Sequence, residues 1–226
     1  MTARIDHLVV AAATLDEGVA WCEATLGVTP GPGGEHPLMG THNRLLRIAT
    51  VDYPRAYLEI IAPQAGRAPQ DSRRRWFDLD EPAVRASLAA DGPRLLHFVA
   101  SVPDLAAALA QLTALEVDRG EAVAATRMTA RGLLSWQISL RPDGQRLMQG
   151  VLPTLIQWGD VHPASGLAES GVTLQGLTLS HPQAQALRPV LAALDLQGVA
   201  VNEGAPNVCA LLHTPKGRVK LASEGL

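Results

Sequence analysis

The sequence predicts an α+β fold in which paired β-α-β-β-β modules form a curved mixed sheet around a cleft, followed by a degenerate third module. An internal duplication is the first observation behind this prediction, since residues 5–28 can be laid over residues 95–118 without a gap. At the same offset, residues 57–63 fall on residues 147–153. The second observation is that both copies begin with an apolar, strand-like run and continue with a helix-like pattern.

The first module covers about residues 4–63 and opens with an apolar run at 5–11 that is typical of a buried strand. Thr14 and Glu17 have the spacing of a capping box, so a helix is expected to start there. Gly27 is placed to end that helix.

The other elements of the core repeat this plan. In the first module a glycine-rich break precedes two predicted strands, at residues 43–50 and 56–62. The second module, about residues 94–153, is predicted to consist of strands 94–101, 133–140 and 146–152 with a helix at 103–115. A linker helix is expected between the modules at about residues 80–91.

We therefore assign residues 1–160 to a core and residues 161–226 to a C-terminal module. Residues 172–222 repeat the strand and helix order loosely, but Gly176 stands where the other copies have a histidine. We expect this segment to be structural, packing on the sheet or forming the contact of a homodimer.

The composition limits the partners of the chain. Its net charge of −3 over 226 residues does not favour a nucleic acid or an anionic membrane, which leaves a small-molecule ligand as the expected partner. No apolar run approaches the roughly 18 residues of a membrane span, and the N-terminus lacks a signal-peptide pattern. Cys22 and Cys209 are expected to be free thiols, as in a cytoplasmic protein.

Two polar residues on apolar strands are the strongest functional signal. His7 lies in the first apolar run and Glu59 lies inside another, so both are expected to be buried. An unpaired buried polar group costs about 1–3 kcal/mol, and a buried carboxylate needs a cation, a donor or a proton. For one strand histidine taken alone, a structural role with a local hydrogen bond is the commoner alternative.

The duplication suggests where these groups meet. His97 takes the position of His7 in the second copy, and Gln149 takes that of Glu59. Equivalent strands of two pseudo-symmetric modules surround one axis, so the four side chains are predicted to converge on one cleft. Two imidazoles and a carboxylate suit Fe(II), Mn(II), Zn(II) or Ni(II), with Gln149 as a weak fourth ligand or a partner of bound water. A metal-free pocket that uses the same groups is the alternative.

The segments DHLVVAAATLDEGVAW, HPLMGTHNRLL and LPTLIQWGDVHP resemble the glyoxalase-like domain proteins of the vicinal oxygen chelate superfamily. The resemblance covers about residues 4–160. It implies metal ligands on the first and last strands of each module, at the positions of His7, Glu59, His97 and Gln149. The fourth position departs from the usual glutamate.

This resemblance implies a small-molecule metalloenzyme with lyase, isomerase or dioxygenase chemistry. A divalent metal would polarise vicinal oxygens of the substrate and stabilise an enolate or oxyanion, with Glu59 as the candidate catalytic residue. The alternative is a metal-free protein that binds or sequesters a small ligand, because one fold supports many functions.

His42 and Asn43 are the candidate substrate-binding residues. They lie in EHPLMGTHNRLL, where Pro37 and Gly40 supply a turn before an apolar strand. Their donors and acceptors could hold a substrate carbonyl or carboxylate, and both are predicted to point into the cleft beside Glu59. A hairpin in which these side chains satisfy local backbone groups is equally consistent with the sequence, and His36 is expected at the periphery.

Overall fold

A computed structural model describes residues 2–129 and 132–226. The first module has the predicted order, with elements β1 (Arg4–Ala11), α1 (Leu15–Leu26), β2 (Gly31–His36), β3 (Thr41–Arg47) and β4 (Tyr57–Pro63). Thr14 caps α1 as predicted, because its hydroxyl accepts a hydrogen bond from the Glu17 amide at 3.3 Å. Gly27 ends the helix in the left-handed conformation, with φ of 79°.

The second module follows the linker helix α2 (Pro82–Asp91) and consists of β5 (Arg94–Ser101), α3 (Leu105–Ala114), β6 (Glu121–Thr129), β7 (Gly132–Leu140) and β8 (Thr154–Trp158). The predicted strand at 146–152 is wrong. Leu147–Gly150 forms a 3-10 turn, in which Met148 and Gln149 have φ of 50° and 48°. These left-handed angles are incompatible with an extended strand, so the last strand of this module begins only after the turn.

Strand register shows why the gapless repeat alignment fails at this point. In the first module Val9 of β1 lies opposite Glu59 of β4. In the second module Val99, the equivalent of Val9, lies opposite Thr154 of β8. The second copy has extra residues before its last strand, so that Thr154 rather than Gln149 occupies the position of Glu59.

All eight strands of the two modules form one mixed sheet in the order β2-β3-β4-β1-β5-β8-β7-β6. β1 and β5 pair antiparallel at its centre, and each also pairs in parallel with the last strand of its own module. The sheet curls until its edge strands approach each other, since a methyl group at Gly34 of β2 would collide with the Arg127 guanidinium of β6. This half-barrel confirms the predicted curved sheet and its cleft.

The C-terminal module has a four-stranded sheet of its own, ordered β10-β9-β11-β12. Its elements are β9 (Thr173–Ser180), α4 (Ala184–Ala193), β10 (Val199–Asn202), β11 (Asn207–Thr214) and β12 (Gly217–Ala222). It shares one apolar core with α1, α3 and the convex face of the large sheet; Leu8, Phe98, Leu105, Leu174 and Leu212 are among the buried members.

The concave face of the large sheet carries a separate core, formed with the linker between the modules. Trp76, Phe77 and Leu88 of the linker pack with Val9 and Val99 of the central strands. The linker therefore closes part of the half-barrel and leaves the remainder of the concave face as a cleft.

Two further observations concern the chain as a whole. Cys22 and Cys209 are free, and burial raises the pKa of the Cys22 thiol to about 12. Within the described ranges, every helix is too short or too polar to cross a membrane.

Candidate functional site

The concave face contains two adjoining cavities. The outer cleft has a volume of about 980 Å³, with walls from β2, β3, β6, β7 and the segment 161–170. The inner pocket has a volume of about 40 Å³ and shares Leu45, Arg127, Leu134 and Pro163 with the outer lining. Its own lining combines polar His7, His36, Asn43 and Glu59 with aromatic Tyr57, Trp76, Phe77, Trp136 and Trp158. Residues 172–222 line neither cavity.

A β-bulge in β1 brings two adjacent side chains to the inner pocket. The register of β1 against β5 shifts between Ile5 and His7, so Asp6 is the extra residue. Neighbouring residues of a regular strand face opposite sides, whereas a bulge lets Asp6 and His7 lie together. Oδ1 of Asp6 is 2.7 Å from Nδ1 of His7, and both side chains are buried.

The structure brings His7 and Glu59 together across β1 and β4. Nε2 of His7 lies 3.6 Å from Oε2 of Glu59, and the two residues are 4% and 6% exposed. Because Nδ1 of His7 donates to Asp6, a neutral imidazole would turn an unprotonated Nε2 toward a carboxylate oxygen. Two facing acceptors repel, so this pair is satisfied by a proton on either group or by a donor that enters between them.

Asn43 holds the other oxygen of Glu59. Its Nδ2 donates to Oε1 of Glu59 at 2.5 Å and lies 3.4 Å from Nε2 of His36. Its Oδ1 accepts a hydrogen bond from the Gly34 amide at 2.8 Å. An exchange of the amide nitrogen and oxygen would set two acceptors against each other, so the network fixes the orientation of Asn43.

His36 belongs to the inner pocket rather than to the periphery. Its burial, followed by the positive charge of Arg127, lowers the pKa of His36 to about 3. The neutral ring can therefore accept at Nε2 from Asn43, while its Nδ1 lies 3.1 Å from the hydroxyl of Thr41.

The glycine-rich segment is part of the site rather than a simple break in the chain. Added at Gly33, a Cβ atom would collide with the backbone oxygen and with Oδ1 of Asn43. β2 can therefore lie this close to β3 only with glycine at that position.

Asp6 is fully buried and connects three elements. Besides the contact with His7, its Oδ2 accepts hydrogen bonds from Nε2 of His162 and Nε1 of Trp158, each at 2.9 Å. Nδ1 of His162 accepts from the Ala164 amide at 3.1 Å, which leaves the ring proton on Nε2. Burial alone would raise the pKa of Asp6, but the hydrogen bonds from His162 and His7 hold it below its usual value. Asp6 is therefore ionised at neutral pH and orients the ring of His7.

Both ring nitrogens of His97 are hydrogen-bonded within the second module. Its Nδ1 donates to the Gly150 carbonyl at 2.9 Å, and its Nε2 accepts from the Thr154 amide at 3.1 Å and lies 3.0 Å from the Thr154 hydroxyl. Arg119 also donates to that hydroxyl. Burial, followed by the charges of Arg119 and Arg146, lowers the pKa of His97 well below its usual value. Both ring nitrogens are occupied, so neither is free to bind a ligand.

Two other predicted site residues lie elsewhere. Oε1 of Gln149 accepts a hydrogen bond from Nε2 of His181 at 2.8 Å, which ties the 3-10 turn to the C-terminal module. His42 is half-buried and lines neither cavity, because strand alternation turns it away from the face that Asn43 occupies. Of the predicted substrate-binding pair, only Asn43 lines a cavity described here, and the substrate-binding role of both residues stays a prediction.

A family model described as "Glyoxalase-like domain" matches residues 5–194. The chain belongs to the glyoxalase-like domain family. This match confirms the resemblance seen in the sequence, and a search of curated proteins finds no match.

Solved structures with the same architecture include a hypothetical protein from Staphylococcus aureus. It shares 14% identity at a TM-score of 0.61, covering 90% of this chain and 87% of that one, and supports the fold alone. A methylmalonyl-CoA epimerase in complex with methylmalonyl-CoA and NH4+ aligns at 21% identity and a TM-score of 0.45, covering 72% and 99%. The methylmalonyl-CoA epimerase from Mycobacterium tuberculosis aligns at 18% and 0.38, covering 72% and 91%.

The divalent metal implied by the glyoxalase-like family does not fit the donor set of this chain. Of the four predicted ligands, His7 and Glu59 face each other, whereas His97 and Gln149 are engaged with other partners. Within residues 2–129 and 132–226, no group of three or more His, Cys, Asp or Glu side chains could hold a metal ion. Catalytic zinc sites and facial iron sites use three protein ligands, and two are too few.

Three residues of this glyoxalase-like site were missed in the sequence: Asp6, His162 and Arg127. In a regular strand Asp6 and His7 face opposite sides of the sheet, so the pattern does not place Asp6 in the site. The His-Pro pair at 162–163 is typical of a loop, so it does not indicate a site either. A signal for Asp6 was nevertheless present, because a carboxylate inside the apolar run IDHLVV needs a buried partner as much as the histidine beside it does.

Proposed function

We propose that this protein binds a small organic molecule in the cleft and transfers a proton to or from it with the His7–Glu59 pair. The 3.6 Å approach of Nε2 to Oε2 at the inner end of the cleft carries the proposal. Each side chain is fixed by a hydrogen bond to a neighbouring residue: His7 is bonded to Asp6, and Glu59 is bonded to Asn43. General acid–base catalysis requires groups that are held in this way within reach of the substrate.

Removal of a proton from a carbon next to a carbonyl group is the step that this geometry supports. Oε2 of Glu59 takes the proton, the electron pair of the C–H bond moves into the enolate, and protonated His7 donates from Nε2 to the enolate oxygen. Asp6 stabilises the imidazolium through Nδ1. Return of the proton from Glu59 to the neighbouring carbon of the enolate system, while His7 recovers its proton from an oxygen of the substrate, completes an isomerisation.

The predicted metal set of His7, Glu59, His97 and Gln149 stays a prediction. For it to form, His97 would have to release Thr154, and Gln149 would have to release His181. The proton transfer proposed here requires neither change.

A protein that binds a small ligand without reacting with it is the second candidate. The apolar part of the outer lining favours it, because side chains such as Pro32, Leu45, Leu134 and Leu167 can bury the body of an organic molecule. This candidate uses the same cleft but assigns no chemistry to Glu59.

Deuterium exchange separates the two candidates. The probe is 2-oxo-4-phenylbutyrate in D2O, whose C3 hydrogens lie next to a carbonyl, and exchange is followed by proton NMR. We expect the wild type to accelerate exchange above the buffer rate and Glu59→Gln to lose about a hundredfold or more of that acceleration. Glu121→Gln, at an exposed position outside both cavities, is the matched control and should behave as the wild type.

Equal exchange by the wild type and Glu59→Gln would refute the catalytic role of Glu59. Binding of the probe with no enzyme-dependent exchange would overturn the proposal in favour of the second candidate.

A further inference from the structure

We infer that the ligand of this cleft is a small organic anion, whose carboxylate pairs with Arg127 where the outer cleft meets the inner pocket. This inference rests on the proposed function, since it names the class of substrate that reaches His7 and Glu59. Three observations on the described residues carry it: the place of Arg127, its lack of a partner, and an unpaired donor nearby.

Arg127 lies at the junction of the two cavities. It is half-buried on β6, contributes to both linings, and lies directly across from Leu134 of β7. Its Nη1 approaches Gly34 of β2 so closely that a methyl group at Gly34 would collide with it. The guanidinium therefore reaches across the mouth of the half-barrel, and a molecule that enters the inner pocket passes beside it.

Within residues 2–129 and 132–226, Arg127 has no hydrogen bond and no ion pair. The carboxylates around the cavities are engaged elsewhere: Asp6 with His7 and His162, Glu59 with Asn43, Glu35 with Gln64, and Glu169 with Arg47. Arg47, the other arginine in the outer lining, has Glu169 at 2.9 Å and donates to the Ala164 carbonyl at 3.2 Å. Arg127 thus differs from Arg47 in having its full donor capacity available to a ligand.

A second donor without a partner points to the same chemistry. Trp76 lines the inner pocket, is 7% exposed, and its buried Nε1 has no hydrogen-bond partner. A buried N–H group left in this state costs free energy, which a ligand oxygen would recover. A ligand with acceptor oxygens would match the unpaired guanidinium of Arg127, and Trp76 adds a second unpaired donor to the same lining.

The linings then assign an orientation to the ligand. A carboxylate at the junction pairs with Arg127, a carbonyl beside it enters the inner pocket toward His7 and Glu59, and an apolar remainder lies along the outer cleft. Arg127 offsets the negative charge of Glu59, which would otherwise repel an anion entering from solvent. A 2-oxo acid with an apolar tail combines these features, and a neutral ketone of the same skeleton lacks only the carboxylate.

Isothermal titration calorimetry tests this inference with that matched pair of probes. We expect the wild type to bind 2-oxo-4-phenylbutyrate about tenfold to a hundredfold more tightly than 4-phenyl-2-butanone. Arg127→Gln should remove the preference by weakening binding of the acid alone, and Arg127→Lys should retain part of it. Arg218→Gln, which removes the same charge at an exposed position of β12, is the control and should keep the full preference.

Equal affinity of the wild type for the two probes, or binding of neither at millimolar concentration, would overturn the inference. So would an undiminished preference in Arg127→Gln. The calorimetric result is independent of deuterium exchange: a preference for the acid without exchange would leave the anion site standing while the proton-transfer proposal fails. Exchange without a preference for the acid would leave the proton-transfer proposal standing while the anion site fails.

Discussion

Replacing Asp6 by Asn is expected to remove the proton from Nδ1 of the His7 ring and to leave the ring protonated on Nε2 alone. His7, His162 and Trp158 all donate to the Asp6 carboxylate, whereas an amide offers one accepting oxygen and one donating nitrogen. With the oxygen kept toward His162 and Trp158, the amide nitrogen faces Nδ1 of His7. That contact is favourable only when Nδ1 carries no proton, so His7 should take the tautomer with its hydrogen on Nε2.

The structure also sets the size of the expected loss of stability for Asp6→Asn. Hydrogen bonds to a charged group contribute about 1.5–3 kcal/mol and neutral ones about 0.5–1.5 kcal/mol, so three weakened bonds amount to about 3 kcal/mol. Removal of a buried charge offsets part of this. We expect the free energy of unfolding at pH 7 to fall by about 2 kcal/mol.

The pH dependence of this loss has a definite sign. The pKa of Asp6 is lowered in the folded state, so its carboxylate stabilises the protein fully above the unfolded value of about 3.9. That stabilisation is lost as the pH falls from there toward the lowered pKa. The difference between the wild type and Asp6→Asn should therefore be full at pH 7 and shrink below pH 4.

Two measurements check this prediction. Urea unfolding followed by far-UV circular dichroism gives the free energies, and nitrogen-15 NMR of the histidine rings reports the proton on Nδ1. Asp104→Asn is the control, because Asp104 caps α3 through the Ala107 amide and Asn caps equally well. A variant that keeps Nδ1 of His7 protonated, or that unfolds with the free energy of the wild type, would refute the assigned role of Asp6.

Two further predictions concern the glycine segment and the metal. Gly33→Ala should lower the free energy of unfolding by about 2 kcal/mol or more, because the new methyl group meets the Asn43 backbone; Gly176→Ala, with nothing within 4 Å, should be close to neutral in the same urea experiment. Protein purified without a histidine tag should contain well below one equivalent of divalent metal by elemental analysis. One full equivalent that is lost in Glu59→Gln would instead favour the four-ligand set.

Much of the fold could be predicted because its signals are local and repeated. The capping pattern at Thr14 and Glu17 places the start of α1 within a single turn of helix. The similarity of residues 5–28 to 95–118 predicts two modules related by pseudo-symmetry. That pseudo-symmetry makes the pairing of β1 with β5 understandable.

The site was less predictable, because it depends on two irregularities that leave no periodic trace. The bulge at Asp6 adds a carboxylate to the concave face. The turn at Leu147–Gly150 delays the start of the last strand of the second module to a later position in the chain. Gln149 was aligned with Glu59 across that turn, but the register places Thr154 there. A gapless comparison cannot detect an insertion that lies between two similar segments.

The same irregularities give the equivalent histidines of the two modules different hydrogen-bond partners. In the first module Glu59 faces an open nitrogen of His7, whereas in the second Thr154 and Gly150 occupy both nitrogens of His97. Under the proposed function, the first module alone supplies the reactive pair, and His97 contributes hydrogen bonds within the second module. Sequence similarity alone assigned both histidines the same role.

Histidine ring resonances recorded while 2-oxo-4-phenylbutyrate is added test the central claim most directly. His7 lines the inner pocket beside Glu59, so its ring resonances should move until the site is saturated. His97 has both nitrogens bonded within the protein and is 0% exposed, so its resonances should stay in place and serve as an internal control. Movement of the His97 resonances with those of His7 unchanged would contradict the account.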